Sequence, residues 1–234
     1  LLDGLWFAVD GQWLRATRFT SAPGMTRMEF GSSGVERVDL APDGGRAGLI
    51  GLRFSGPARR VSLSVQAHSE LLAAPWGFTT PSAAEANLPD QGSFDGRNLL
   101  FRDAGTPPFA GARAHDYAAL VGSDLVPDGH RVGAGMRGPQ EPAVICPPTD
   151  PPPGPPPGPT PLRCDDGPFG RGTGGELTYR VDVPGGGRTV WFAVAGSDAG
   201  VVPPPLPCDV GALACSLVSR GLNLLRCFSA EAER

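Results

Sequence analysis

The chain has no lysine, few aromatic residues and no long hydrophobic run. All 20 of its basic residues are arginine, which indicates the codon bias of a high-GC bacterial gene. No run of about eighteen apolar residues occurs, so the sequence contains no candidate transmembrane helix. The net charge of −4 is spread along 234 residues without a basic stripe. We therefore expect neither nucleic acid nor a membrane as a partner.

The sequence also lacks the motifs of the common metal, nucleotide and nucleophile chemistries. Three histidines are scattered, and none stands in an HExxH motif or beside a cysteine pair: His68, His115 and His130. The glycine-rich stretch 170–176 lacks the lysine of a phosphate-binding loop, and no GxSxG motif occurs. Asp165 and Asp166 with Glu176 lack the spacing of a calcium loop, so we interpret them as solvated loop carboxylates. We expect no metal and no cofactor.

Glycine and proline are abundant instead, with 34 and 27 residues, and they separate short apolar runs. Asp10-Gly11 is a hairpin signal, because both central positions of a type I′ turn need positive φ. Residues 61–66 alternate between apolar and polar side chains, as a strand with one wet face does. The predicted strands are 5–9, 13–19, 49–54, 61–66, 98–102, 117–122, 176–183 and 189–195.

The last two predicted strands form the clearest hairpin, through a glycine-rich turn at residues 184–187. Both faces of 189–195 are apolar, so we expect this strand to lie in the centre of a sheet that is covered on both sides. The spacing of strands and turns predicts an all-β fold. It is a large two-sheet antiparallel β-sandwich over residues 1–200.

Residues 147–163 form a proline-rich loop between Cys146 and Cys164, with ten prolines among seventeen residues. Proline fixes φ and removes a backbone donor, so the segment is predicted to be exposed and polyproline-like. Cysteines at both ends of the loop predict a disulfide. A disulfide places the protein in an oxidising compartment, so we expect it to be secreted or extracellular.

The composition changes at residues 201–234, which begin with a proline-rich linker and then predict a short amphipathic helix at 210–228. Its apolar positions recur at helical spacing: Val210, Leu213, Ala214, Leu217, Val218, Leu224, Leu225 and Phe228. This helix packs on the sandwich, links it to a later partner, or is an aberrant or truncated end. We expect it to be dispensable for the sandwich, because the sheets are complete before residue 201. Three cysteines leave the pairing open: Cys208, Cys215 and Cys227.

Several carboxylates and aromatic residues are candidates for a binding site. Asp90, Asp95 and Asp103 lie close together in the sequence beside Arg97, which fits a polar site. The simpler interpretation is a turn at Asp95 and a solvated pair of Asp103 with Arg102.

Trp76 and Phe78 stand in a turn-like setting and are candidates for stacking on a sugar ring or for an interface. The other tryptophans lie in apolar strands and are predicted to be core residues: Trp6, Trp13 and Trp191.

Three stretches resemble the amino-terminal β-sandwich domain of secreted bacterial glycoside hydrolases of the glycogen-debranching and glucoamylase-like type. They are 52–72 with the PWGF that comes after it, 87–105 and 176–198. The resemblance covers residues 5–198. It implies a supersandwich-like domain that precedes an (α/α) barrel carrying the catalytic carboxylates. No helical-barrel sequence follows Asp198, so we assign no catalytic residue here and expect the chain to be a fragment of a longer enzyme.

The resemblance implies a non-catalytic domain of a hydrolase that acts on α-glucans such as glycogen or maltooligosaccharides, with the barrel as its partner. The alternative is a free-standing secreted carbohydrate-binding or adhesion module. Its ligand face would consist of Trp76, Phe78, Asp90, Asp95 and Arg97. A third hypothesis is a small enzyme that uses Asp90, Asp95 and Arg97 directly.

We predict that Cys146 and Cys164 form a disulfide in protein expressed under oxidising conditions. Closing this loop contributes about 3 kcal/mol on a chain-entropy estimate. Mass spectrometry of a non-reduced digest detects the linked peptides, and free thiols at both positions would contradict the prediction. Deleting most of the prolines costs little stability, because loop-closure entropy changes slowly with loop length.

Overall fold

A computed structural model describes residues 2–41, 47–71, 88–108, 111–133, 136, 138–139 and 172–200. These residues fold into two antiparallel sheets, so the chain is an all-β sandwich, as the sequence predicts. The proline-rich loop with its two cysteines and the predicted C-terminal helix lie outside the described residues. In the described ranges, no helix has the length and apolarity needed to cross a bilayer.

The strands are numbered along the chain. They are β1 (Leu2–Val9), β2 (Gln12–Trp13), β3 (Arg18–Ala22), β4 (Met25–Glu29), β5 (Val35–Leu40), β6 (Ala47–Phe54), β7 (Arg59–Ser69), β8 (Gln91–Phe94), β9 (Leu99–Gly105), β10 (His115–Ser123), β11 (Gly129–Gly133), β12 (Gly174–Val183) and β13 (Arg188–Ser197). The smaller sheet has five strands in the order β11-β12-β7-β1-β2. The larger sheet has eight strands in the order β3-β4-β5-β6-β13-β10-β9-β8.

The main core lies between the two sheets. In β7, alternate residues from Val61 to Ala67 face inward and are fully buried, which confirms the alternation seen in the sequence. Phe192 of the larger sheet meets Phe7 and Tyr179 of the smaller sheet edge-on, with ring centroids 5.2 and 5.8 Å apart. These aromatic contacts join the sheets near the middle of the sandwich.

Two of the connections that cross between the sheets join the central strands, and one of them overturns a predicted hairpin. The predicted hairpin of residues 176–195 is wrong, because β12 pairs with β11 and β7 whereas β13 pairs with β10 and β6. β12 and β13 therefore each have two neighbours in their own sheets, and neither has a free edge with which to pair with the other. The turn at 184–187 carries the chain from one sheet to the other, as the turn at 55–58 does from β6 to β7.

These two crossing turns lie against each other. Gly187 has a φ of 86°, and a Cβ on it would lie 2.6 Å from the carbonyl oxygen of Phe54. Glycine is therefore required there by both conformation and space. In each sheet the crossing strands are neighbours, since β6 pairs with β13 and β7 pairs with β12. The result is an interlocked set of four strands at the centre of the sandwich.

The N-terminal hairpin is confirmed, but the next predicted strand is not continuous. Asp10 and Gly11 have φ values of 50° and 78°, as a type I′ turn requires, and Ala8 pairs with Trp13. The predicted strand 13–19 is instead divided between β2 of the smaller sheet and β3 of the larger sheet. Residues 14–17 carry the chain between the sheets, so the apolar run belongs to two strands.

The tryptophans of the described residues do not lie in the core between the sheets, contrary to the prediction. Trp6 alternates with the buried Phe7 and therefore faces outward from the smaller sheet, where it is half-buried. Trp13 pairs with Ala8 on the same outer face. Trp191 faces outward from the larger sheet, since its neighbour Phe192 faces inward. The central position of β13 with apolar residues on both faces is confirmed.

We predict that Gly51→Ala lowers the free energy of unfolding by about 1–3 kcal/mol, as overpacking does. A Cβ on Gly51 would lie 2.8 Å from Cζ3 of Trp191, whose ring covers this glycine. Gly186→Ala is the matched control, because a Cβ there meets no atom within 4 Å. Urea unfolding of both variants measures the difference. Equal stabilities of the two variants would show that the ring does not rest on Gly51.

Candidate functional site

The two ends of the sandwich differ in their connections. At one end the described strands are joined by short segments: 10–11, 14–17, 30–34, 55–58, 95–98, 124–128 and 184–187. At the other end lies one tight turn, 23–24, together with the connections 41–46, 70–90, 106–114 and 134–173. We call the end with the short segments the short-turn end and the end with the longer connections the long-connection end. Long connections gathered at one end of a sandwich are a usual place for binding.

A group of polar side chains lies at the long-connection end. We call it the buried polar cluster, and it consists of Ser69, Asp90, Asp103, His115 and Thr173. Ser69 and Asp103 are fully buried, and the side chain of His115 is 7% exposed. These residues come from β7, β9, β10 and the segments before β8 and β12. The fold therefore brings them together from distant parts of the chain.

Asp90 joins the two sides of the connection 70–90. Its Oδ2 accepts hydrogen bonds from Ser69 Oγ at 2.7 Å and from the backbone amide of Leu71 at 3.0 Å. Ser69 also holds the strand that comes after the connection 134–173. Thr173 N donates to Ser69 Oγ at 3.1 Å, and Ser69 N donates to Thr173 O at 2.9 Å. One aspartate and one serine thus fix the bases of the two longest connections.

Asp103 holds the neighbouring elements. Its Oδ1 lies 2.9 Å from His115 Nε2 at the start of β10, and it accepts a hydrogen bond from the backbone amide of Leu88. His115 stacks on Tyr117 with ring centroids 4.9 Å apart. The predicted solvated pair of Asp103 with Arg102 is therefore wrong. The two side chains point to opposite faces of β9, and Arg102 pairs with Asp116 on the outer face.

The two carboxylates of the cluster lie in an environment that favours their neutral forms. Burial raises the pKa of Asp90 to about 6, and the nearby charge of Asp103 acts in the same direction. Burial also raises the pKa of Asp103, opposed by its hydrogen bond with His115. Asp90 Oδ1 and Asp103 Oδ2 are buried and have no hydrogen-bond partner among the described residues. These carboxylates fix the chain at the end of the sandwich and do not face solvent as an acid–base pair would.

The structure separates the polar residues that the sequence grouped as one site. Strand β8 lies between Asp90 and Asp95, so Asp90 lies at the long-connection end whereas Asp95 and Arg97 lie at the short-turn end. Asp95 Oδ1 accepts the backbone amides of Arg97 and Asn98 at 2.8 and 2.6 Å, which confirms the turn. Burial opposes its ionisation, but these bonds and one from the Asn98 side chain lower the pKa of Asp95.

The arginine of that group also has a structural role. The Arg97 guanidinium donates to the carbonyl oxygens of Ser123 and Asp124 at 3.4 and 3.3 Å. Trp76 and Phe78 lie outside the described residues, within the connection whose base Asp90 fixes. A single ligand face that includes Asp90, Asp95 and Arg97 is therefore not formed.

Glu176 is a third carboxylate with little exposure, and its position differs from the sequence prediction. It lies in β12 on the outer face of the smaller sheet and is 8% exposed, so it is not a solvated loop residue. It accepts hydrogen bonds from Ser64 at 2.6 Å, from Gln66 at 3.1 Å and from Arg131 at 2.7 Å. Burial opposes ionisation, but these bonds outweigh it and lower the pKa of Glu176. Each partner lies on the neighbouring strand β7 or β11, a placement that only the sheet register reveals.

No protein-family model matches this chain, and no curated protein matches it.

We predict that Asp90→Asn removes part of the pH dependence of stability. A carboxyl pKa raised from 3.8 to about 6 stabilises the fold fully below pH 4, and this stabilisation is lost as the pH rises to about 6. The loss amounts to about 3 kcal/mol. Asparagine does not ionise, and its Oδ1 can accept the bonds from Ser69 and Leu71.

Urea unfolding at pH 4, 5, 6 and 7 tests this prediction. Between pH 4 and 6, the free energy of unfolding of the wild type should decrease relative to that of Asp90→Asn. Asp95→Asn is the control. Because Asp95 has a lowered pKa, this variant should show the same decrease as the wild type. Parallel curves for the wild type and Asp90→Asn would contradict the assignment.

Proposed function

We propose that this chain is a non-catalytic β-sandwich module of an α-glucan-processing hydrolase, and that it makes its contacts through the long-connection end. The observation that carries the proposal is the difference between the two ends of the sandwich. The segments of two to five residues at the short-turn end leave little room for a ligand site. At the long-connection end, Ser69 and Asp90 hold the two sides of the connection 70–90 together, and Ser69 also fixes the end of the connection 134–173 at Thr173.

The non-catalytic role is supported by the placement of the carboxylates. A glycosidase needs two carboxyl groups that face the scissile bond across a cleft. Asp90 and Asp103 instead hold backbone and side-chain partners within the end of the sandwich. Glu176 is occupied by three hydrogen-bond donors. These three carboxylates thus have structural roles.

The glucan partner rests on the sequence resemblance together with the position of two aromatic residues. Trp76 and Phe78 belong to the connection 70–90, and aromatic rings bind sugars by stacking on their apolar faces. In a larger enzyme, such a module would lie beside an (α/α) barrel and contribute to substrate binding.

A free-standing carbohydrate-binding module is the second candidate, favoured by the same aromatic pair. The two candidates differ in the coding sequence downstream of the sandwich. A helical barrel of several hundred residues downstream supports the hydrolase module, and a stop codon directly after residue 234 supports the free-standing module.

We predict that the purified chain binds glycogen but does not hydrolyse it. Affinity electrophoresis in glycogen should retard the wild-type chain, and Trp76→Ala should weaken the retardation roughly tenfold or more, as the loss of a central aromatic contact does. Phe19→Ala is the matched control, because Phe19 is 61% exposed on β3, away from the long-connection end. Equal weakening by both variants would contradict the proposed face.

Hydrolysis is measured in the same preparations. Release of glucose from maltoheptaose should stay at background. Turnover that is abolished by Asp103→Asn would show that the buried cluster is catalytic and would overturn the non-catalytic role.

A further inference from the structure

Part of the outer face of the larger sheet is apolar and buried, although the smaller sheet covers only the opposite face. Strand β13 shows both faces, since Val190 and Phe192 point into the core whereas Ala193 and Ala195 point outward. Ala193 is 0% exposed and Ala195 is 5% exposed. The outer face of an antiparallel sheet that contacts water is normally polar.

Neighbouring strands continue this face. We call it the outer patch, and it consists of Val38, Leu40, Leu49 and Ala193 with Met25 and Trp191 packed against them. Leu40 and Leu49 are 4% and 1% exposed. Within the part of the chain that the structure describes, no residue outside β4, β5, β6 and β13 belongs to this cluster. Another part of the protein must therefore cover side chains as large as leucine.

The described chain leaves the sandwich on this side. Gly200 comes after β13, and its amide donates to the carbonyl oxygen of Asp116 at 2.8 Å. Gly200 has a φ of 70°, and a Cβ on it would overlap the carboxylate of Asp116. That carboxylate shares the outer face of β10 with Ala118 and Leu120, and Arg102 holds it at 2.5 Å. At residue 200 the chain thus lies directly beside the outer face of the larger sheet.

We propose that residues 201–234 fold back over the outer patch and cover it with the apolar stripe of their predicted helix. The length of the predicted helix agrees with the width of the sheet. A helix over 210–228 is about 28 Å long, whereas the five strands from β4 to β10 span roughly 19 Å. Residues 201–209 reach up to about 30 Å when extended, which is enough to bring the helix onto the patch from Gly200.

The chemistry of the two surfaces also agrees. The stripe residues Leu213, Leu217 and Leu224 carry no charge, as a surface that meets Leu40 and Leu49 requires. Ala193 lies at the centre of the face, and its small side chain lets a helix approach closely beside the Trp191 ring. This proposal replaces the expectation that residues 201–234 are dispensable, because their removal would expose the outer patch.

Thiol labelling of the full-length chain tests the proposal. Ala195→Cys reports on the outer face, and Ala67→Cys reports on the core between the sheets, where Ala67 is 0% exposed. Each cysteine is introduced into the otherwise unchanged chain and into two double variants. The stripe variant, Leu217→Asp with Leu224→Asp, puts two negative charges on the apolar stripe. The opposite-face variant, Ser219→Asp with Asn223→Asp, puts the same two charges on the opposite face of the helix. Digestion and mass spectrometry give the labelling rate at each position.

We expect position 195 to be labelled at least tenfold faster in the stripe variant and at an unchanged rate in the opposite-face variant, with position 67 protected throughout. Unchanged protection of position 195 in the stripe variant would overturn the proposal and assign the cover to another part of the chain. Protection that is lost on dilution would also overturn it, because a second copy would then be the cover.

If position 67 also reacts in the stripe variant, that variant is unfolded. A cross-linking experiment then tests the proposal. In the otherwise unchanged chain, a short bismaleimide should join position 195 to Cys208, Cys215 or Cys227 within one molecule. Failure to form any such link while all four thiols react singly would overturn the proposal.

Discussion

The interlocked crossing of four strands is the constraint on which the rest of the structure depends. Strands β6 and β7 are consecutive in the chain, as are β12 and β13, yet each pair is divided between the two sheets. Because β6 pairs with β13 and β7 pairs with β12 over most of their length, neither sheet can move without the other. The crossings require short turns that pack together, and Gly187 permits this contact.

The two ends of the sandwich differ in their connections. The two turns of the interlocked crossing lie at the short-turn end, and the longest connections extend from the opposite end. There the strand ends are held by hydrogen bonds of Ser69, Asp90 and Asp103. Burying carboxylates has a cost, seen in the raised pKa of Asp90. That cost is offset because the backbone amide of Leu71 and the hydroxyl of Ser69 need acceptors where the chain leaves the sheet.

Local patterns could predict most strands but not their partners. Alternation indicated β7, and apolar runs indicated β6 and β13, whereas β4 and β5 were missed because charged residues interrupt them. The pairing of β12 with β13 was predicted wrongly, because a turn fixes a reversal of the chain and not the sheet that it enters. In the site, Asp90 stood out as a candidate. Its partner Ser69 binds Thr173, which lies 104 residues along the chain, and no spacing rule connects such positions.

Hydrogen exchange of the full-length chain with maltoheptaose tests whether the long-connection end makes the functional contact. We expect slower exchange in the peptides that contain residues 88–90, 115–117 and 172–174. We expect no change in those that contain 95–98 and 184–187. Slower exchange at the short-turn end, or no change at either end, would contradict the proposed contact.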